Sequence, residues 1–168
     1  PSFQDYLACA DHLVRNGYTA AGRIVAEGFS AGGLLIGNAV VERPELFAGI
    51  VGRAAYVDPL GAKDIKDHPL GPSAIPIWGD PANPAEYAYI ASYAPYEHLR
   101  KASLPAMLTI SSIADDRVMY TDAPKFVLRA RALTTGGQPM MTRIAAVGGH
   151  VGLPGPKAAA ERKALFHA

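Results

Sequence analysis

Three stretches of this 168-residue chain carry side chains that together could run nucleophilic acyl transfer: Ser30 within Gly28-Phe29-Ser30-Ala31-Gly32, the acidic pair Asp115-Asp116, and His150 beside Gly149. A serine hydroxyl is a poor nucleophile until a neutral imidazole removes its proton, and a carboxylate is needed to orient that imidazole and stabilise its charged form. The chemistry therefore requires each residue type, and here they follow one another in the order Ser, Asp, His. Spacing does not separate Asp115 from Asp116. One is expected to accept from His150, while the other caps the next helix or pairs with Arg117.

Such residues are useful only if the fold brings them together. The apolar run 23–29 reads as a buried strand, and the small residues after it open directly into the helical pattern Leu34-Leu35-Ile36-Gly37-Asn38-Ala39-Val40-Val41. Strand, tight turn and helix would hold Ser30 at an apex with its hydroxyl outward, Gly28 and Gly32 supplying the clearance. The start of the following helix carries partial positive charge and free N–H groups, so the Ala31 N–H is placed to stabilise an oxyanion formed at Ser30.

The rest of the chain repeats that alternation. Phe3, Tyr6, Leu7, Ala10, Leu13 and Val14 share a helical face ahead of Gly17, with Ser2 as the expected cap and Cys9 as a small core side chain. Pro44 stops the helix after Ser30. Further strands are expected at 47–54, 105–111 and 140–146, the third ending at the acidic loop and the fourth running into Gly148-Gly149-His150. Asp122 is expected to cap a helix carrying Phe126, Val127, Ala130 and Leu133, and a last helix starts near Pro156. Between 56 and 99 repeated prolines mark an insertion of loops and short helices, the clearest being 84–92. Strands alternating with helices predict an α/β fold: a mostly parallel sheet with helices on both faces. In such sheets working residues gather beyond the carboxyl ends of the strands, where Ser30, Asp115-Asp116 and His150 all fall.

Composition narrows the function classes. A net charge of +1 with 49% hydrophobic and 18% charged residues is an ordinary globular balance, offering no electrostatic reason to expect nucleic acid or an anionic membrane as partner. Cys9 stands alone, so no internal disulfide is possible, and no run approaches the length of a membrane helix. A cytoplasmic protein is the expectation. His12, His68, His98 and His167 lack partners at ligand spacing, and no phosphate-binding lysine follows the glycines at 28–33, so no metal or nucleotide cofactor is expected.

Taken together, Gly28-Phe29-Ser30-Ala31-Gly32-Gly33, Arg43-Pro44-Glu45-Leu46-Phe47, Trp78-Gly79-Asp80-Pro81, Ser92-Tyr93-Ala94-Pro95-Tyr96, Asp115-Asp116-Arg117-Val118 and Gly149-His150 resemble the C-terminal catalytic domain of the prolyl oligopeptidase family, of α/β-hydrolase fold, and its oligopeptidase B branch most. The resemblance covers nearly the whole chain. It implies a serine peptidase acting on oligopeptides, with Ser30 as nucleophile, Asp115 as orienting acid, His150 as base and Arg117 on a substrate backbone carbonyl. It also implies that a β-propeller, earlier strands and a second oxyanion donor lie outside residues 1–168. Relatives that cleave after basic residues carry glutamates just before the tryptophan matching Trp78, whereas Ala74-Ile75-Pro76-Ile77 is uncharged. Fold and triad do not choose between amide and ester, so an esterase or acylaminoacyl-type hydrolase is the neighbouring expectation. An inactive remnant associating through an exposed sheet edge is the expectation of another class.

Overall fold

The computed structural model of the chain describes residues 2–61 and 65–167. Its elements are α1 (Ser2–Arg15), β1 (Ile24–Phe29), α2 (Gly32–Glu42), β2 (Phe47–Arg53), α3 (Ile75–Trp78), α4 (Pro84–Ala91), α5 (Pro95–His98), β3 (Ala106–Ser112), α6 (Asp122–Leu133), β4 (Met140–Ala145) and α7 (Pro156–His167). The four strands form one parallel sheet in the order β1-β2-β3-β4. Each step moves in the same direction across the sheet, and right-handed crossovers then put every connecting helix on the same face.

That face holds the core. Ala26, Ile50, Met107 and Met140 project from successive strands into one cluster with Leu7 of α1, Ile36 and Val40 of α2, and Phe126 and Val127 of α6. Period-2 alternation sends Val25, Val51, Leu108 and Met141 to the other face, where Val25 is 61% and Met141 52% exposed. The second face receives α7 at the carboxyl end, where Ala158 and Glu161 line a cavity with Phe29 and Ile110. The predicted parallel sheet with helices is thus present, its two faces covered unequally.

The segment 56–99 contains α3, α4, α5 and two 3-10 turns, as its prolines predict; residues 62–64 of that insertion lie outside the described residues. Asn83 caps α4, its side-chain oxygen accepting from the Ala85 N–H at 3.0 Å, and Pro84 takes the first helical position. Among the described residues no helix is long and apolar enough to cross a membrane.

Three local expectations are corrected. Ser2 lies inside the first turn of α1 rather than ahead of it. Cys9 is exposed, since the core-facing stripe of α1 runs through Leu7 and Ala10 and leaves position 9 on the solvent side. Asp122 does not cap α6: it sits within the first turn, 1% exposed, with Oδ1 lacking any hydrogen-bond partner.

Asp122 has physical consequences of its own. Its neighbour Asp58, also buried, is ion-paired to Lys125, so two buried acids share one cation. Burial, reinforced by the charge of Asp58 and only partly countered by Lys125, pushes the Asp122 carboxyl up to about 8. The unfolded chain releases this proton at ordinary carboxyl pH while the folded chain retains it. The stability contributed by Asp122 is therefore full below about pH 4 and is lost progressively as pH rises toward 8. Asp122→Asn removes that loss. Its melting temperature is expected to exceed that of the parent by a margin that widens by about 5 °C or more between pH 5 and pH 8. Parallel melting curves across that range would contradict the assignment.

Candidate active site

The site begins at the end of β1. Ser30 continues the ladder through its N–H to the Arg53 carbonyl at 3.0 Å, then turns sharply into α2 with φ at 55°, in the left-handed region. A non-glycine residue holds that conformation only when its surroundings enforce it. Here they do so through the Ser30 carbonyl, which accepts from the N–H groups of Gly33 at 2.8 Å and Tyr56 at 2.9 Å.

The glycines around the turn differ from expectation. A Cβ on Gly28 would lie 2.6 Å from the Gly32 carbonyl oxygen, and one on Gly33 would lie 2.7 Å from the Tyr56 nitrogen. A Cβ on Gly32 would meet nothing within 4 Å. Clearance is thus supplied by Gly28 and Gly33. The turn folds the Gly32 backbone over residue 28, so position 32 crowds through its carbonyl and not through a side chain. Gly28→Ala should cost about 3 kcal/mol, whereas Gly32→Ala should leave stability within about 0.5 kcal/mol. Chemical denaturation of the two variants checks this, and equal destabilisation would refute it.

The loop after β3 carries Asp115. Asp115 Oδ1 accepts from the N–H groups of Arg117 at 2.9 Å and Val118 at 3.0 Å, which locks the carboxylate against its own loop. Both carboxylate oxygens face His150 Nδ1, at 3.0 Å and 2.9 Å. Asp116 is exposed and stands outside this set. His150 arrives from the loop after β4. Gly148 and Gly149 have φ of 109° and 54°, and a Cβ on Gly148 would lie 2.8 Å from the Leu153 nitrogen, so the loop doubles back only with glycine there. His150 Nε2 then lies 2.9 Å from Ser30 Oγ. The His150 and Asp115 side chains are 7% and 2% exposed, which shields their hydrogen bond from water.

Of the residues singled out in the sequence, the fold brings Ser30, Asp115 and His150 into one hydrogen-bonded series. Ala31 stands at the N-terminus of α2, where the first-turn N–H groups have no helical acceptor. Arg117 is exposed at the same rim, its backbone tied to Asp115. Among the described residues no cluster of His, Cys, Asp or Glu could hold a metal ion. Two contributors escaped sequence reasoning. The Phe29 ring packs 4.9 Å from that of His150, and Arg53 lies over Phe29 at 5.2 Å. Tyr56 holds the Ser30 carbonyl through its N–H and packs its ring against Trp78 at 4.9 Å, tilted by 51°. Strand alternation could have placed Phe29 on the face opposite Gly28; nothing local marks Tyr56.

The chain matches the model of the prolyl oligopeptidase family over residues 1–167. It is similar to the dipeptidyl aminopeptidase BI of Pseudoxanthomonas mexicana, with 35% identity over 92% of this chain and 21% of that protein. Protease 2 of Moraxella lacunata is equally similar, at 35% over 92% of this chain and 22% of the relative. Oligopeptidase B of Leishmania major superposes with a TM-score of 0.82 at 31% identity, over 88% of this chain and 20% of that structure. The chain therefore spans about a fifth of the length of the relatives it matches. A parallel sheet ending in Ser30, Asp115 and His150 and a family match along nearly every residue lead to one conclusion: the chain belongs to the prolyl oligopeptidase family.

Proposed function

We propose that this chain is the catalytic domain of a serine peptidase that hydrolyses peptide bonds of oligopeptides, with Ser30 as nucleophile, His150 as general base and acid, and Asp115 as orienting carboxylate. The observation that carries this reading is the series Asp115–His150–Ser30, joined by hydrogen bonds of 2.9 Å, with Ser30 held at the left-handed apex before α2.

In the first half-reaction Ser30 Oγ attacks the scissile carbonyl carbon and its proton passes to His150 Nε2. Asp115 keeps Nδ1 protonated, so that Nε2 presents its lone pair to the serine, and it stabilises the imidazolium that forms. The carbonyl oxygen becomes an oxyanion within reach of the Ala31 N–H, where the α2 terminus favours negative charge. Collapse expels the amine, which takes the proton from His150, and leaves an acyl ester on Ser30. Water then repeats the sequence, giving its proton to His150 and releasing the acid. Arg117, exposed at the rim, serves to hold a substrate backbone carbonyl. The chemistry needs no metal or organic cofactor. The lone exposed Cys9 is compatible with a cytoplasmic compartment, which is proposed with the activity.

The test is covalent. A fluorophosphonate should modify the protein once, with the adduct mapped to Ser30 by peptide mass spectrometry; an unmodified Ser30 would remove the proposal.

A further inference from the structure

The proposed reaction makes no use of Phe29, the residue before Ser30. Its ring nevertheless lies 4.9 Å from that of His150, the two planes tilted by 43°. Strand alternation explains the meeting. Glu27 and Phe29 of β1 point to the face of the sheet that carries Val25, opposite the core, and Arg53 of β2 stands in register with Phe29 on that same face. The Arg53 guanidinium sits over the Phe29 ring at 5.2 Å, and its Nη2 is 3.3 Å from Glu27 Oε1. Phe29 is thus held along its backbone by the pairing of β1 with β2 and through its side chain by a cation that is itself ion-paired.

His150 needs such support. Its hydrogen bonds to Asp115 and Ser30 both run from ring nitrogens, and hydrogen bonds keep much of their strength over a range of angles. The loop that carries it bends at Gly148, Gly149 and Gly152, all of positive φ, where the backbone is most compliant. Phe29 and His150 together border a cavity of about 140 Å³, completed by residues that include Ile110, Val147 and Leu153. A space of this size holds a single six-membered ring. An imidazole that tilted into it would draw away from Ser30 Oγ, and a displacement of about 1 Å in a catalytic group can cost about 10²-fold in rate.

We infer that Phe29 is a positioning residue, whose ring, held by Arg53, keeps the His150 imidazole aligned between Asp115 and Ser30 and out of the cavity. The inference rests on the proposed roles of Ser30 and His150 in the peptidase reaction. It requires a flat ring at position 29. An aliphatic side chain gives Arg53 no face to bind, and alanine leaves the imidazole unsupported beside an enlarged cavity.

Fluorophosphonate labelling reads the alignment without a known substrate. Phe29→Ala should lower the maximal labelling rate by about 10- to 100-fold, with the probe concentration for half-maximal rate within about twofold of the parent. Phe29→Tyr keeps the ring, and the cavity has room for its hydroxyl, so its rate should stay within about threefold. Phe29 is 38% exposed and stands outside the core cluster, so the fold should tolerate these changes. Phe29→Leu, expected to lose about threefold or more, decides if the alanine variant does not fold. A second readout uses the resting protein. The proton on His150 Nδ1, identified in the NMR spectrum by its absence from His150→Gln, should be visible in the parent and in Phe29→Tyr and lost to exchange with water in Phe29→Ala. Parental labelling rates in both Phe29→Ala and Phe29→Leu, a Phe29→Tyr variant as slow as Phe29→Ala, or an Nδ1 resonance unchanged in Phe29→Ala or missing from the parent would each overturn the assignment. An unlabelled Ser30 in the parent removes the peptidase reading, whereas the resonance tests Phe29 without any reaction, so the two failures are distinguishable.

Discussion

Ser30→Ala is expected to abolish fluorophosphonate labelling and to lower peptide turnover by about 10⁶-fold, the scale on which serine hydrolases lose kcat when the nucleophile is removed. In the proposed reaction the hydroxyl is the atom that becomes acylated, and among the described residues no second hydroxyl shares its hydrogen bond to His150 Nε2. Any residual rate would arise from oxyanion stabilisation and substrate binding. The fold should be indifferent to the change, because Ser30 holds its turn through its backbone, with the carbonyl accepting from Gly33 and Tyr56. Turnover and melting temperature measured on the same preparation check both parts. A variant that retains turnover within tenfold of the parent would show that the acyl group is carried elsewhere.

Asp115→Asn should lower kcat by about 10⁴-fold while leaving the geometry nearly intact. The carboxylate accepts from His150 Nδ1, which places the imidazole proton on Nδ1 and the lone pair on Nε2, toward Ser30 Oγ. An asparagine amide can donate to Nδ1 instead. The ring then adopts the other tautomer, with Nε2 carrying a proton and unable to accept one. The Oδ1 acceptor for the Arg117 and Val118 N–H groups survives in the amide oxygen, so the loop should keep its shape. Asp116→Asn supplies the control. That residue is exposed, and its variant should differ from the parent by less than about threefold. Equal losses at the two positions would mean that the acid has been misassigned.

Much of this architecture was legible because the relevant signals are local. Four strands appear where apolar runs stand between turn signals, each within two residues of its expected bounds, because period-2 burial and proline or glycine punctuation act over a few residues. The tight turn at Ser30 was legible for the same reason. Where expectation failed, the deciding neighbour was remote in sequence. The Gly-x-Ser-x-Gly pattern assigns clearance to Gly32, but which glycine is crowded depends on how the loop after β2 approaches, and Tyr56 presses on Gly33 instead. Asp122 has the local signature of a helix cap. Its burial beside Asp58, 64 positions earlier, is set by the packing of α6 against that loop.

The sequence by itself determined the kinds of groups available, their order along the chain, and the local turns that aim them outward at the ends of three strands. Spacing left Asp115 and Asp116 equivalent, since adjacent residues on a loop have the same spacing to everything distant, and only the family resemblance pointed to Asp115. Which of the two contacts His150 was decided only by the tertiary structure. The Arg117 and Val118 N–H groups fix one carboxylate, and the glycine loop after β4 delivers His150 to that one. The distance between Ser30 Oγ and His150 Nε2 was likewise beyond local reasoning, because it is the sum of strand register, sheet twist and loop path across 120 residues of chain. Chemistry is written in residue types, while proximity belongs to the whole packed sheet.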